Sequence, residues 1–195
     1  MRRRTFVTAA CSAVAATLMG LAAPALADGI ELASLKTEKA EEALELSYSA
    51  RFELPRSVEE ALMKGVPIYF SAEATVFRNR WYWRDARVAR VTRSWRLTWQ
   101  ALTRQYRLST GGLNQSFSTL TEALATVRGV AGWRVAELRE LEDDGRYYLE
   151  FSFKLDTSQL PKPMQIGLGL PQGWNLGVER TLGFNADFTL RQSTP

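Results

Sequence analysis

Hydrophobic and polar residues alternate along several stretches of the chain. In 44–54 the even positions are Leu, Tyr, Ala or Phe, and the odd positions are Glu, Ser or Arg. The same period of two recurs in 66–76, 147–155 and 178–190. This period is typical of β-strands with one buried and one hydrated face, and such strands belong to antiparallel sheets. The chain is therefore predicted to be mainly β.

The longest alternating stretch, 88–110, changes parity after Ala101, so that its apolar residues move from odd to even positions. A change of parity requires either a turn or one extra residue in the strand. Residues 100–103 contain no Gly, Pro, Asn or Asp, the residues that tight turns favour. We therefore interpret the change as a β-bulge within one long bent strand.

Two capping boxes predict two short helices. Ser57 is followed three residues later by Glu60, and Thr119 in the same way by Glu122. Ser57 and Thr119 are therefore expected to cap their helices. The two segments align as Ser/Thr-apolar-x-Glu-Ala-Leu, which would fit a duplicated strand–helix–strand–strand unit. We favour two generic caps instead, because a capping box is a common local solution.

About eight amphipathic strands and two short helices predict two packed sheets. Asp143-Asp144-Gly145 predicts a hairpin that joins 133–141 to 146–156. We expect an antiparallel two-sheet β-sandwich, for which an immunoglobulin-like shape is one form and a half-open barrel is the alternative. Residues 28–195 are long enough for one such domain with a core of its own.

The first 27 residues are typical of an export signal. Arg2, Arg3 and Arg4 precede an Ala-rich apolar run, and Ala25-Leu26-Ala27 offers the small residues that a signal peptidase recognises. We expect cleavage between Ala27 and Asp28 and a periplasmic destination in a Gram-negative envelope. Sec export is favoured, with the twin-arginine route as the alternative.

Composition excludes several chemistries. The chain has no His, and its one Cys, Cys11, lies in the predicted signal. The remainder can therefore form no Ser-His-Asp triad, thiol nucleophile or His/Cys metal site. Gly-x-Ser-x-Gly and Gly-rich phosphate loops are also missing from the sequence. We assign no catalytic residue, metal ligand or cofactor.

Some carboxylates could still support catalysis or bind calcium. Glu140, Glu142, Asp143 and Asp144 cluster near the predicted hairpin, but they match neither motif spacing and suit a solvated turn. Asp156 follows the alternating stretch 147–155, and we expect it to cap the next segment. A hydrolase that uses carboxylates alone remains an alternative hypothesis.

Charge is distributed very unevenly. The stretch 78–107, which we call the arginine-rich stretch, contains nine Arg and one acid, Asp85. Without residues 1–27 the chain has 22 basic and 21 acidic residues and is nearly neutral. The part of 28–195 outside the arginine-rich stretch therefore carries a net negative charge. Arg side chains bind carboxylate and phosphate while aromatic rings supply contact area. The candidate binding residues are Arg80, Trp81, Trp83, Arg84, Arg90, Arg96 and Arg107.

A structural interpretation competes with this one. Long Arg side chains on a hydrated face can pair with Glu on neighbouring strands, and the acidic residues at 38, 41, 42 and 45 are candidates for that pairing. Arg93, Arg104 and Arg180 form a separate set, because each interrupts an otherwise apolar face. We expect them to point inward, either in buried ion pairs or at the floor of an anion-binding cleft.

Several blocks follow one another in a familiar order. They are Arg80-Trp81-Tyr82-Trp83-Arg84-Asp85, Leu102-Thr103-Arg104-Gln105-Tyr106-Arg107, Ser116-Phe117 with Glu122-Ala123-Leu124, Leu155-Asp156 with Gln159-Leu160-Pro161-Lys162-Pro163-Met164-Gln165, and Trp174-Asn175-Leu176. In these blocks the chain resembles the proteobacterial domain of unknown function 4390, small exported proteins without an assigned activity. The resemblance implies an envelope partner in signalling, since such genes neighbour those of a nitrogen-regulation-type sensor kinase. It supplies no catalytic residues.

The leading functional hypothesis is a non-enzymatic periplasmic module that binds an envelope protein or an anionic envelope component. A purely structural envelope protein is a third hypothesis, beside the carboxylate hydrolase. Nucleic acid is not an expected partner, because the exported chain is nearly neutral overall.

The predicted signal can be tested directly. N-terminal sequencing of the protein from a periplasmic extract should give Asp28 as the first residue, because the small residues before it suit the peptidase. A full-length product retained in the membrane would reject both the cleavage site and the periplasmic destination.

Overall fold

The computed structural model describes residues 29–80, 82, 84–141, 145–160, 173–185 and 187–191. Strands and helices follow in the order β1 (Glu31–Lys39), β2 (Ala43–Arg51), α1 (Arg56–Met63), β3 (Ile68–Arg78), β4 (Ala86–Gln100), β5 (Gln105–Thr110), β6 (Leu113–Phe117), α2 (Leu120–Val127), β7 (Gly129–Glu137), β8 (Tyr147–Leu155) and β9 (Gly177–Gly183). Two single 3-10 turns, Leu138–Glu140 and Thr157–Gln159, follow β7 and β8.

The strands form two antiparallel sheets. One has three strands in the order β1-β2-β7, and the other has six in the order β6-β5-β4-β3-β8-β9. Every pair of neighbouring strands is antiparallel. The prediction of a mainly β, antiparallel two-sheet protein is confirmed.

Aromatic side chains fill the space between the sheets. Phe52, just after β2, packs against Phe70 of β3 and Phe153 of β8 at ring-centroid distances of 5.5 and 5.7 Å. Tyr48 of β2 lies 5.0 Å from Phe151 of β8. These residues come from the apolar positions of the alternating stretches, and all are at least 94% buried. The hydrophobic alternation thus identified the inner faces of β2, β3 and β8.

The predicted bulge near Ala101 is wrong, because a turn separates two strands there. Gln100 of β4 lies opposite Gln105 of β5, and a four-residue loop joins them. Arg104, the last loop residue, adopts a left-handed conformation with φ of 52°. Antiparallel pairing across this loop matches odd with even positions, for example Trp99 with Tyr106, and this explains the change of parity.

Two further strand predictions are corrected. The turn sequence around Gly145 does not close a hairpin, because β7 pairs with β2 while β8 lies between β3 and β9. The chain crosses from one sheet to the other there, and Glu142, Asp143 and Asp144 lie outside the described residues. The alternating stretch 178–190 is not one strand, since β9 ends at Gly183 and the chain turns back to an isolated bridge between Phe184 and Leu190.

The two capping boxes have different outcomes. At α2 the prediction is confirmed: the Glu122 N–H donates to Thr119 Oγ1, and the Thr119 N–H donates to Glu122 Oε2, both at 3.2 Å. At α1 it is wrong, because Pro55 is the N-cap and its carbonyl accepts the N–H groups of Val58 and Glu59. Ser57 therefore lies inside the first turn.

The helices connect the sheets in opposite directions. The α1 helix leads from the three-stranded to the six-stranded sheet, and α2 leads back. This arrangement argues against a duplicated strand–helix–strand–strand unit, because β3 and β4 after α1 are neighbours in one sheet while β7 and β8 after α2 lie in different sheets. Each helix has eight residues, and within the described part of the chain no helix is long and apolar enough to cross a membrane.

Thr119→Ala should lower the free energy of unfolding by about 1 kcal/mol, because it removes an N-cap acceptor. Urea unfolding of the purified protein measures the change. Thr121→Ala is the matched control, since this exposed threonine lies inside the first turn of the same helix. Equal effects of the two substitutions would contradict the assigned cap.

Candidate functional site

The β4 strand has one side-chain face that is buried between the sheets and one that carries the candidate site. Trp95 and Leu97 are buried opposite Phe70 and Ile68 of β3, toward the three-stranded sheet. Arg96, between them, lies on the other side of the strand and opposite Tyr69. We call this side of the six-stranded sheet the outer face. Side chains alternate across a strand, so the sequence of β4 sends one set of arginines outward.

Arg96 and Arg107 form the centre of the candidate site on the outer face. Arg96 is opposite Ser109 of β5, and Arg107 is opposite Thr98 of β4. The two arginines are therefore diagonal neighbours, a relation that places residues about 7–8 Å apart. Both are exposed, and among the described residues neither has a carboxylate in ion-pair range. Hydroxyl groups flank them on both strands.

Arg90 belongs to the same face but is neutralised. Its Nη2 atom lies 2.6 Å from Glu73 Oε2 on the neighbouring β3 strand. The structural interpretation of the arginines therefore applies to Arg90. The expected partners at 38, 41, 42 and 45 are wrong for this residue, because those acids lie in β1, in β2 or in the turn between them, at the other sheet. The alternation in 66–76 puts Glu73 on the hydrated face of its strand. Its contact with Arg90 depends on the register between β3 and β4, which the alternation does not contain.

Arg80 and Arg84 lie in the exposed connection between β3 and β4. Asp85 holds this connection to the sheet: its carboxylate accepts the Arg80 backbone N–H at 3.1 Å and the Tyr148 hydroxyl at 2.9 Å. Tyr148 in turn stacks on Phe77, with ring centroids 5.1 Å apart. Trp81 and Trp83, the predicted anchors, lie outside the described residues.

The contact with Asp85 affects the ionisation of Tyr148. Desolvation, followed by the hydrogen bond to Asp85 and the nearby negative charges, raises the pKa of Tyr148 to about 12. The phenol therefore stays protonated at neutral pH and donates to the carboxylate. The one acid of the arginine-rich stretch thus has a structural role, which sequence reasoning missed because its partner is 63 residues away.

The three arginines predicted to point inward behave differently from one another. Arg93 is half-buried, and its guanidinium lies 5.5 Å from the ring centroid of Trp133 on β7. Arg104 is exposed in the β4–β5 loop, and Arg180 is exposed on the edge strand β9, where it donates to the Glu179 carbonyl at 2.9 Å. The prediction is wrong for Arg104 and Arg180, since both residues are exposed.

Asp156 caps the 3-10 turn after β8, as predicted. Its Oδ1 atom accepts the Ser158 N–H at 3.1 Å and the Ser158 hydroxyl at 2.6 Å, while Oδ2 accepts from Gln159 at 2.9 Å. Partial burial raises the pKa of Asp156, but these hydrogen bonds and Lys154 together lower it below its ordinary value. An ionised carboxylate that is engaged in this way is poorly suited to general-acid catalysis.

The geometry defines a two-sheet β protein with an arginine-bearing outer face. A family model matches residues 27–182, and the chain belongs to that family, described as a domain of unknown function (DUF4390). Neither a curated protein nor a solved structure matches the chain.

Arg104→Gly should raise the free energy of unfolding by about 0.5–1 kcal/mol. The left-handed conformation costs a non-glycine residue roughly 1–2 kcal/mol, and the added freedom of glycine in the unfolded chain offsets part of this gain. Thr103→Gly in the same loop, where φ is not positive, should instead destabilise the protein. Thermal unfolding of both variants tests the conformation of the loop, and a loss of stability in Arg104→Gly would contradict it.

Proposed function

We propose that this protein is a non-enzymatic, exported binding module of the periplasm, whose outer face recognises an acidic partner. The observation that supports the proposal is the pair Arg96 and Arg107, exposed on adjacent strands without a carboxylate in ion-pair range among the described residues. Two neighbouring exposed arginines can bind carboxylate or phosphate groups in a bidentate manner.

The proposed partner is an acidic protein segment or an anionic component of the envelope, in connection with a two-component sensor system. The export part of the proposal depends on residues 1–27, and the sensor part depends on the family resemblance. The binding part depends on the outer face alone. Arg80 and Arg84 extend the positive charge beyond one end of β4, while Glu73 reduces it at Arg90.

The arrangement of charges favours a partner that binds over β4 and β5, on one half of the outer face. The acidic residues of the outer face lie on the other half of the sheet: Glu73 on β3, Glu150 on β8 and Glu179 on β9. A partner with negative charge is attracted to the β4–β5 half, whereas on the β8–β9 half Glu150 and Glu179 outnumber the exposed Lys154. Such complementarity contributes mainly to association rate and specificity.

In vivo photo-crosslinking tests the proposal, with the crosslinker placed at Thr98 or Ser109 beside the two arginines. Arg96→Gln with Arg107→Gln should abolish the crosslinked product and weaken binding most at low salt. The same double change should alter the free energy of unfolding by less than about 1 kcal/mol per residue, because exposed charges contribute little.

Arg90→Gln is the matched control on the same strand and face. Its side chain is 51% exposed and pairs with Glu73, so the change should cost up to about 1 kcal/mol of stability and leave the crosslinks largely intact. Intact crosslinks in the Arg96/Arg107 double variant, together with a stability loss as large as that of Arg90→Gln, would make the outer face structural and remove the binding proposal.

A further inference from the structure

A groove of about 660 Å³ opens between the two sheets, on the side of β4 that faces away from Arg96. Its walls come from β4, from the β5–β6 turn, from the end of α2 and from the first half of β7. Trp95 and Trp133 form its nearly buried floor, and Leu113, Val130 and Ala131 supply its accessible aliphatic surface. This volume lies within the range of sites for small organic ligands, and polar and apolar residues contribute about equally to the lining.

Arg93 is the only charged residue among the described residues that line the groove. Its guanidinium lies on the Trp133 ring, and it makes no ion pair with any residue in the described ranges. Contact with the Trp133 ring stabilises the guanidinium but does not neutralise its charge. The groove therefore carries one uncompensated positive charge.

A second polar group without a partner lies near this charge. The Tyr48 hydroxyl is buried and makes no hydrogen bond in the part of the chain that the structure describes. Tyr48 is opposite Val130, one of the groove residues, in the β2–β7 register. Burial raises the pKa of Tyr48, and the positive charge of Arg93 opposes this effect.

We propose that this groove binds a monocarboxylate with an apolar body, whose carboxylate pairs with Arg93 while its body lies along Leu113, Val130 and Ala131. One guanidinium balances one negative charge, and its planar fork matches the two oxygens of a carboxylate. A phosphate dianion would need a second cation, which the lining does not provide. Because Arg93 and Arg96 lie on opposite sides of β4, this site is independent of the outer face.

Isothermal titration calorimetry of the purified protein tests the proposal with three probes of equal chain length, namely decanoate, 1-decanol and decyl phosphate. Decanoate should bind tightest. Arg93→Gln should weaken decanoate binding about tenfold or more, which is the effect of losing a charged hydrogen bond, and should leave decanol binding unchanged. Arg96→Gln, on the other side of the same strand, should bind decanoate as the unmodified protein does.

A blocking variant keeps the test decisive if Arg93→Gln fails to fold. Ala131 is exposed and lines the groove, so Ala131→Phe should fill it, preserve the fold by circular dichroism and abolish decanoate binding. Decanoate binding that survives in Ala131→Phe, or tighter binding of decyl phosphate, overturns the proposal.

A second copy of the chain could cover the groove instead of a small ligand, and the experiment must distinguish the two. If the unmodified protein sediments as a dimer that Ala131→Phe dissociates, and decanoate gives no heat, the groove is a subunit interface and the proposal is wrong. Outer-face crosslinks at Thr98 should be unaffected by Arg93→Gln, so that failure of the groove and failure of the outer-face proposal remain distinguishable.

Discussion

The contact between the two sheets depends on Phe153 of β8. Its ring centroid lies 5.6 Å from that of Tyr48, 5.7 Å from Phe52, 6.2 Å from Phe70 and 6.3 Å from Trp95. Aromatic pairs of this kind contribute roughly 0.5–1.5 kcal/mol each beyond the area they bury. The sequence after residue 27 contains no Cys, so this packing must hold the sheets together without disulfides. It also fixes which side of β4 is buried.

The sheets have unequal widths, and this determines where the chain can bind. Three strands cannot cover six, so the contact is confined to the middle of the larger sheet. Arg180 has the parity of an inner-face residue, since it is opposite the buried Phe151, yet it is exposed because it lies on the edge strand. On the opposite side, the incomplete cover leaves the groove beside Arg93. The unequal widths of the two sheets therefore account both for the exposure of Arg180 and for the partial burial of Arg93.

Sequence could predict the features that depend on neighbouring residues. The period of two identified β2, β3, β4 and β8, and the capping box at Thr119 identified the start of α2, because both are local patterns. The box at Ser57 failed since Pro55 closes the first turn with its own carbonyl. The turn before Gln105 was missed because Arg104 occupies a left-handed conformation more often taken by Gly or Asn. The amino-acid composition of the loop does not indicate that an arginine adopts this conformation.

The candidate site was predictable as a region but not as a set of interactions. Parity correctly placed Arg90 and Arg96 on one hydrated face, but it could not distinguish them. The distinction depends on register, which brings Glu73 to Arg90 and leaves Arg96 beside Ser109 and Tyr69. Register between distant strands depends on the whole sheet, so no local pattern contains it.

The two proposed sites differ physically because β4 separates them. Arg96 and Arg107 are exposed, where counterions screen their interactions within about 10 Å at ordinary ionic strength. Arg93 is half-buried beside Trp133, where water and salt have less access and a single ion pair is correspondingly stronger. The outer face therefore suits reversible, salt-sensitive association with a large acidic partner, and the groove suits retention of one small anion. Side chains alternate between the two sides of β4, so arginines at an odd and an even position, Arg93 and Arg96, are enough to create one half-buried and one exposed site.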